Sequence, residues 1–208
     1  MKKIVIAGGG GFAKEVRAIL ERMNQKEQIW EFAGYVVNDR DGEEIFGNDE
    51  KLVSADESLH VVIALGKPKQ REKLYKMYRK NPKLQFPNII DPSVQMMSEV
   101  KIGKGTIICP NVVLTVDIEI GDFCLINMGC TIAHDDLLES FVSVNPGCNL
   151  SGNVKLGSLT EVGTGSTIVE GIAIGKEVDI WTGSAVIKSI PDKCIVVGTP
   201  AKIVRHKS

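Results

Sequence analysis

The chain has 208 residues and a formal net charge of -1, from 25 Lys and Arg against 26 Asp and Glu. This balance, without a cluster of basic residues, argues against nucleic acid as a partner. No apolar run reaches the roughly 20 residues of a membrane-spanning helix, so we expect a cytoplasmic protein without a span. Five cysteines without a CxxC pair indicate core thiols rather than a zinc site or a disulfide framework.

The first predicted element is a strand, turn and helix unit in the stretch KKIVIAGGGGFAKEVRAILERM. Its apolar run predicts a buried strand, and the apolar spacing after the glycines predicts an amphipathic helix. Gly8, Gly10 and Ala13 match the G-x-G-x-x-G/A spacing, in which backbone N–H groups and the helix N-terminus face a phosphate. In a second interpretation, the glycines only allow close packing of strand and helix.

Two further strands complete a small parallel sheet over residues 1–85. EFAGYVVND ends in Asn38 and Asp39, where an acidic group can accept a hydrogen bond from a ribose or a base edge. HVVIALG leads into a helix after Pro68, and residues 81–94 are predicted to be a linker. The result is a Rossmann-like βαβ domain that is too small for a dinucleotide-dependent dehydrogenase, so we expect it to bind a mononucleotide or a nucleotide sugar.

A period of six residues characterises the second domain, residues 86–208. Every sixth position from Ile102 to Val186 is Ile, Leu or Val, and the residues two places earlier are mostly small or β-branched. Such a period suits short strands separated by turns, each placing one aliphatic side chain inward. We therefore predict a parallel β-helix of about five coils, with three hexads to a coil. Asp136 is the one charged exception in the small positions, and we expect it to bend toward solvent or a neighbouring subunit.

These hexads, with the ending VVGTPAKIVR at residues 196–205, resemble the hexapeptide-repeat acyltransferases, whose fold is a left-handed β-helix. With the small domain in front, the chain is similar over nearly its whole length to the bacterial sugar O-acyltransferase group. That group includes sialic acid O-acetyltransferases and N-acetyltransferases that act on UDP-4-amino sugars or GDP-perosamine. The likeness is carried by IAGGGGFAKEV, VVIALGKPKQREKL, NIIDPSV, the AHD turn, LSGNVKLG and VVGTPAK.

The AHD turn contains the candidate general base. His134 follows the inward Ile132 by two residues, so its ring is expected to face outward. Asp135 can hold one ring nitrogen and fix the tautomer, which leaves the other nitrogen to accept a proton. The resemblance implies the same roles, with His134 as catalytic base and Asp135 as its orienting carboxylate. Asn127 matches a polar family position near the reacting groups, although it is also an ordinary turn residue.

The resemblance also implies binding sites and an assembly. Members form homotrimers and bind acetyl-CoA in the groove between neighbouring β-helices, and the chemistry needs no metal. Glycines at the acetyl-CoA positions have a plain turn as their competing interpretation. The chain departs from the family at Phe12 and Ser143, where many members carry a histidine. The matching acceptor positions are Gly8, Gly10, Gly11, Asp39, Gly66 and Lys67, and the matching acetyl-CoA positions are Ser143, Gly152 and Gly183.

We therefore predict an acetyl-CoA-dependent acetyltransferase of cell-surface polysaccharide biosynthesis that modifies the amine of a nucleotide-linked 4-amino sugar. An O-acetyltransferase acting on a sugar of the sialic acid type fits the same base, since nothing in the sequence distinguishes an amine acceptor from a hydroxyl. A noncatalytic trimer that binds a sugar nucleotide is the third interpretation. A hexapeptide carbonic anhydrase is disfavoured, because its zinc needs several histidines and the repeats contain one.

Overall fold

The structure, a computed structural model, describes residues 1–38, 42 and 44–207. The N-terminal unit is a parallel sheet with the strand order β3-β2-β1-β4-β5. Sequence patterns identify the three longer strands, whereas β3 and β5 are too short to show a period. The elements are β1 (Lys2–Ala7), α1 (Gly11–Lys26), β2 (Trp30–Val36), β3 (Ile45–Gly47), α2 (Asp49–Val53), β4 (Leu59–Ile63), α3 (Pro68–Tyr78) and β5 (Leu84–Gln85).

Helices cover both faces of this sheet, as is usual for parallel strands. One face packs against the buried stripe of α1, which includes Val16, Ile19 and Leu20. The opposite face packs against Leu52 of α2 and Tyr78 of α3. Because β1 is covered on both faces, its apolar residues form a continuous run rather than an alternating pattern.

The second unit is a parallel β-helix with three sheets. Strands of one sheet are paired with an offset of 18 residues, as when Leu125 pairs with Ser143, which confirms three hexads to a coil. Sheet 1 consists of β6 (Ile89–Ile90), β9 (Ile107–Ile108), β12 (Leu125–Ile126), β15 (Ser143–Val144), β18 (Glu161–Val162), β21 (Asp179–Ile180), β23 (Cys194–Val197) and β24 (Lys202–His206). Sheet 2 consists of β7 (Gln95–Met96), β10 (Val113–Leu114), β13 (Thr131–Ile132), β16 (Asn149–Leu150), β19 (Thr167–Ile168) and β22 (Ala185–Val186). Sheet 3 consists of β8 (Val100–Ile102), β11 (Ile118–Ile120), β14 (Leu137–Leu138), β17 (Lys155–Leu156) and β20 (Ala173–Ile174).

The β-helix extends beyond the predicted frame at both ends. Residues 81–94, expected to be a linker, contain β5 of the N-terminal sheet and β6, the first strand of sheet 1. At the other end β23 continues sheet 1 in parallel, and β24 folds back antiparallel to it. All five cysteines are free and buried, in agreement with the prediction of core thiols. The predicted fold class, an α/β unit followed by a hexapeptide β-helix, is confirmed.

The N-terminal unit packs against sheet 1 and against the corner between sheets 3 and 1. Arg71 of α3 is 1% exposed and makes no ion pair with a carboxylate among the described residues. Burial of its guanidinium lowers the pKa to about 10. Arg71 instead donates to the backbone carbonyls of Leu65, Gly66, Phe123, Phe141 and Val142, at 2.8 to 3.2 Å. This side chain therefore joins the loop after β4 to two successive coils of the β-helix.

A membrane-crossing helix would have to be longer and more apolar than any helix among the described residues.

Candidate active site

His134 lies at the corner between sheets 2 and 3, just after β13. Its side chain is 51% exposed, and its Nδ1 lies 2.8 Å from Oδ2 of Asp135. Asp135 has a φ of 61°, a left-handed conformation that a short Asp side chain tolerates. The turn geometry therefore directs the carboxylate toward the preceding ring, and the outward placement predicted for His134 is observed.

The electrostatics of the corner strengthen His134 as a base. The hydrogen bond to Asp135 raises the pKa of the imidazole above its ordinary value of 6.5, and the charges of Glu170 and Asp136 add to this effect. With Nδ1–H donated to Asp135, the Nε2 atom of the neutral ring keeps its lone pair. The arrangement can accept a proton at Nε2 and stabilise the imidazolium that results.

Gly152 lies one coil beyond His134 at the same corner, and the ring occupies the space that a side chain there would need. A Cβ atom at position 152 would come within 2.3 Å of Cε1 and 2.4 Å of Nε2 of His134. The two coils are also joined by the N–H of Asn153, which donates to the His134 carbonyl at 2.7 Å. Sequence analysis assigned Gly152 to a close approach of acetyl-CoA, and the structure adds that it makes room for the His134 ring.

Asp136 points into the β-helix, contrary to the expectation that it bends toward solvent or a neighbour. It is 1% exposed, and backbone N–H groups from two coils bind its carboxylate. Oδ1 accepts from Val154 at 2.8 Å, and Oδ2 accepts from Ala133 at 3.2 Å. Burial raises the pKa of Asp136 to about 7, although both hydrogen bonds favour the ionised form.

Asn127 belongs to the same coil as His134 but to a different corner. It follows β12 at the corner between sheets 1 and 2, so β13 separates it from His134. Its side chain is largely buried, and its Oδ1 accepts from the N–H of Met128 at 2.8 Å. Within one chain the structure does not bring Asn127 to the histidine.

A cleft of about 460 Å³ lies at the carboxyl ends of the N-terminal strands. Gly8 lines it with a φ of 128°, and a Cβ there would come within 2.9 Å of the Ala64 carbonyl. Gly10 is the N-cap residue of α1 and Gly11 its first residue, and neither a capping side chain nor an acidic residue occupies the first turn. This end of α1 therefore suits an anionic group. Asp39 lies outside the described residues.

Three residues that line the cleft, Asp49, Lys73 and Met77, carry no signal in the sequence. Asn38 Nδ2 donates to Oδ2 of Asp49 at 2.8 Å, and the hydroxyl of Tyr78 donates to Oδ1 of the same carboxylate. Lys73 and Met77 contribute from α3. Asp49, Lys73 and Met77 belong to helices whose approach to β2 depends on the tertiary fold. No local sequence pattern therefore marks these residues as ligand contacts.

Gly66 and Lys67 lie at the contact between the two units. The Gly66 carbonyl accepts from the hydroxyl of Ser143 at 2.7 Å, and the amine of Lys67 lies 2.9 Å from Glu161 on sheet 1. Ser143 is fully buried by this contact. Its hydroxyl donates to the N-terminal unit, so Ser143 is part of the contact between the two units.

Gly183 lies at the corner between sheets 1 and 2, not at the corner of His134 and Gly152. Its φ of 69° is a turn conformation that favours glycine. Its carbonyl accepts from the Thr199 hydroxyl at 3.1 Å. The two glycines assigned to acetyl-CoA thus lie on opposite sides of sheet 2 in one chain.

Comparisons with known proteins agree with this architecture. Residues 3–78 match the family model described as the PglD N-terminal domain. A search of curated protein sequences finds no match. Among solved structures, a histidine mutant of perosamine N-acetyltransferase from Caulobacter crescentus, in complex with CoA and GDP-perosamine, is 28% identical with a TM-score of 0.90 and covers 99% of this chain and 98% of its own.

Two further solved structures cover nearly the whole chain. WeeI from Acinetobacter baumannii AYE is 29% identical with a TM-score of 0.87, covering 98% of this chain and 100% of its own. The acetyltransferase domain of PglB from Neisseria gonorrhoeae FA1090 is 24% identical with a TM-score of 0.91 and coverages of 98% and 100%, a likeness that shows the fold alone. The resemblance stated from the sequence, to the hexapeptide-repeat sugar acyltransferases, is confirmed.

Proposed function

We propose that this protein transfers an acetyl group from acetyl-CoA to the amine of a nucleotide-linked 4-amino sugar, with His134 as general base. The chain is an acyltransferase of the hexapeptide-repeat group, and its solved neighbours include perosamine N-acetyltransferase with CoA and GDP-perosamine bound. The observation that carries the proposal is the outward-facing His134, held through Nδ1 by Asp135 at 2.8 Å.

The reaction uses the two nitrogens of His134 for different tasks. Asp135 holds Nδ1–H, so Nε2 takes the proton of the acceptor amine as the amine nitrogen bonds to the thioester carbonyl carbon. The carbon–sulfur bond then breaks, and the imidazolium gives its proton to the departing thiolate. A positioned base contributes about 10²- to 10⁴-fold, and holding both substrates in place supplies much of the remainder.

The N-terminal cleft is the proposed acceptor site. A diphosphate at the glycine turn would receive N–H groups from the start of α1, while Asn38 lies where a ribose or base would be. Asp39, which is outside the described residues, stays the sequence-predicted contact for that group. Phe12 stands where many family members have a histidine, and it packs partly buried against the apolar core. We propose that residues 1–85 form this acceptor-binding domain and residues 86–208 the acetyltransferase domain.

The separation of the cleft from His134 supports a homotrimer. The N-terminal unit packs on sheet 1, whereas His134 lies at the corner between sheets 2 and 3, which is opposite sheet 1 in a three-sided prism. An acceptor in the cleft of one chain is therefore best placed for the histidine of another. Acetyl-CoA would lie along the histidine's corner, between chains. Because acetyl-CoA is a cytoplasmic metabolite, we propose that the enzyme works there.

The outer surface of sheet 2 suits such a contact. None of its outward residues is charged, in contrast to sheet 3, where Lys101, Glu119 and Lys155 face outward. Exposed apolar side chains, Met97, Val169 and Ile187, follow its edge next to His134. An uncharged face of this kind is typical of a surface buried between subunits. The outward residues of sheet 2 are Gln95, Val113, Thr131, Asn149, Thr167 and Ala185.

The test is CoA release from acetyl-CoA with a panel of UDP-, GDP- and dTDP-linked 4-amino sugars, with sialic acid and CMP-sialic acid as hydroxyl acceptors. We expect turnover of one amino sugar, lowered at least about 10²-fold by His134→Ala. His206→Ala is the matched control and should keep full activity. Turnover restricted to a hydroxyl acceptor would establish the O-acetyltransferase instead. Activity that is unaffected by His134→Ala would overturn the mechanism.

A further inference from the structure

Asp136 occupies a position that is aliphatic in the other coils. The residues at intervals of 18 in the same corner are Val100, Ile118, Val154 and Ile172. Burying a carboxylate in such a position is costly unless its hydrogen bonds or a nearby cation compensate. The coil that carries this buried carboxylate is also the coil that carries His134.

The hydrogen bond between coils does not by itself require a charge. Thr106 and Thr160, buried at the corner between sheets 3 and 1, each accept the N–H of the residue 18 positions later, both at 3.1 Å. Asp136 makes the equivalent bond to Val154 at 2.8 Å. A hydroxyl therefore satisfies that N–H elsewhere in the same β-helix, and what Asp136 adds is a second acceptor and, in its ionised form, a negative charge.

The second acceptor reaches the residue just before His134. Oδ2 accepts from Ala133, so the carboxylate joins the strand end before the histidine to the coil that carries Gly152. Asp135 thus bonds to the exposed ring of His134, while the carboxylate of Asp136, two residues along the chain, is buried at the same corner.

We propose that Asp136 is a positioning residue for His134: its buried carboxylate joins the two coils of the histidine's corner and stabilises the imidazolium from the core side. The proposal rests on the proposed function, in which that imidazolium forms during turnover. The charged groups that act on His134 are Asp135, Glu170 and Asp136, and those that act on Asp136 are His134 and Asp135. Protonation of the ring therefore favours the ionised form of Asp136, and the ionised carboxylate in turn favours the protonated ring.

The first test needs no substrate. The chain has three histidines, so the imidazole Cε1–H signals can be followed by NMR against pH and assigned with His60→Ala and His206→Ala. We expect Asp136→Asn to lower the pKa of His134 by about half a unit to one unit. Asp136→Val, which installs the aliphatic type of the neighbouring coils, should fold and give the same or a larger shift.

Thr160→Val is the matched control, because it removes an equivalent bond between coils without removing a charge. It should lower the melting temperature yet leave the titration of His134 in place. Equal titration of His134 in wild type and in both Asp136 variants would overturn the proposal. So would a shift of the same size in Thr160→Val, since the effect would then be structural.

Activity measurements separate this inference from the proposed function. If acetyl transfer is observed, the acid limb of the kcat/KM profile should move to lower pH in Asp136→Asn by the amount seen in the titration, and an unmoved limb would contradict the role of Asp136. If no acceptor is acetylated while the titration shift is observed, the proposed function fails and the electrostatic coupling stands.

Discussion

A single hydrogen bond between two exposed side chains determines how His134 is presented to substrate. The carboxylate of Asp135 accepts a hydrogen bond from Nδ1 of His134. Asp135 is itself the left-handed turn residue of its coil at this corner, as Asp117 and Asn153 are in the coils before and after it. Aspartate therefore fits the backbone requirement of the turn and also provides the acceptor for the ring.

Replacing Asp135 by Asn should alter both the pH profile and the rate. The Asp135 carboxylate raises the pKa of His134, and the base must be neutral to act, so wild-type activity is lost as pH falls through that raised value. In Asp135→Asn the acid limb of kcat/KM should move to lower pH. The plateau should fall about 10²-fold or more, because the imidazolium is no longer stabilised. Glu170→Gln is the control, because it removes a nearby charge that has no hydrogen bond to the ring; it should shift the acid limb less and keep the plateau of kcat/KM. An unchanged plateau of kcat/KM in Asp135→Asn would contradict the orienting role of Asp135.

Gly152 allows a double-mutant test of the ring position. In Gly152→Ala the new Cβ would lie 2.3 Å from the His134 ring, so the ring must move. We expect kcat to fall about 10²-fold with little change in melting temperature. Adding Gly152→Ala to His134→Ala should cost nothing more in kcat, since the displaced ring is already absent. Additive losses would show that Gly152 acts through another group.

At the scale of elements, α3 is connected to the β-helix mainly through Arg71 and through the aromatic cluster of Tyr75, Phe86, Phe123 and Phe141. The five carbonyls that Arg71 reaches are backbone groups from the loop after β4 and from two coils. The positions of these carbonyl groups relative to one another therefore depend on the Arg71 side chain. The position of the loop at Gly66, which borders the cleft, depends on it as well.

Arg71→Met should uncouple the two units. It removes one donor from five backbone carbonyls, of which Gly66 keeps Ser143 and Val142 keeps Leu125 as a donor, and this should cost about 3 kcal/mol or more. Trp30 lies in the N-terminal sheet and Trp181 in the β-helix, and these are the two tryptophans of the chain. Urea unfolding followed in Trp30→Phe and Trp181→Phe backgrounds should give coincident transitions for the parent and separated ones for Arg71→Met. Lys69→Met, on the same helix but in an exposed pair with Glu177, should leave them coincident; separated transitions there would argue against a specific role for Arg71.

The elements differ in how far the sequence predicts them. The six-residue period predicts the β-helix strands because every coil repeats the same inward position, whereas β3 and β5 are too short to show a pattern. His134 and Asp135 are adjacent, so their pairing follows from a local turn. The hydrogen bond from Ser143 to the N-terminal unit was not predicted, because its partner Gly66 is 77 residues away. Nothing in the hexad shows whether the side chain of Asp136 points inward, since that depends on N–H groups of the next coil.

At the scale of the whole molecule, the opposed positions of the cleft and His134 predict complementation between chains. His134→Ala removes the base but keeps the cleft. Gly10→Val places a side chain at the glycine turn, where nothing lies within 4 Å of the new Cβ, and keeps the base. Each variant alone should be nearly inactive, whereas co-expressed chains should recover a measurable fraction of wild-type turnover, because some mixed sites contain both intact parts. Inactive mixed oligomers would place the cleft and the base of each site in one chain.

A charge on sheet 2 should disrupt the same assembly. Thr167→Glu places a carboxylate on the uncharged face, and we expect light scattering to show a loss of the trimer together with a loss of activity. Lys155→Glu on sheet 3 is the control and should keep both. A trimer that tolerates Thr167→Glu would mean that another surface forms the contact.

Because paired strands are offset by 18 residues, the number of coils can change without a change in the catalytic residues. Removing or adding a whole coil beyond the histidine's corner returns every later residue to the same sheet, whereas a change of six residues would rotate all later side chains by a third of a turn. Molecular length can thus be adjusted in increments of about 4.8 Å, the spacing of neighbouring strands, without altering the environment of the base. A ligand stretched along that edge would meet a longer or shorter support while its reactive end stays where it was.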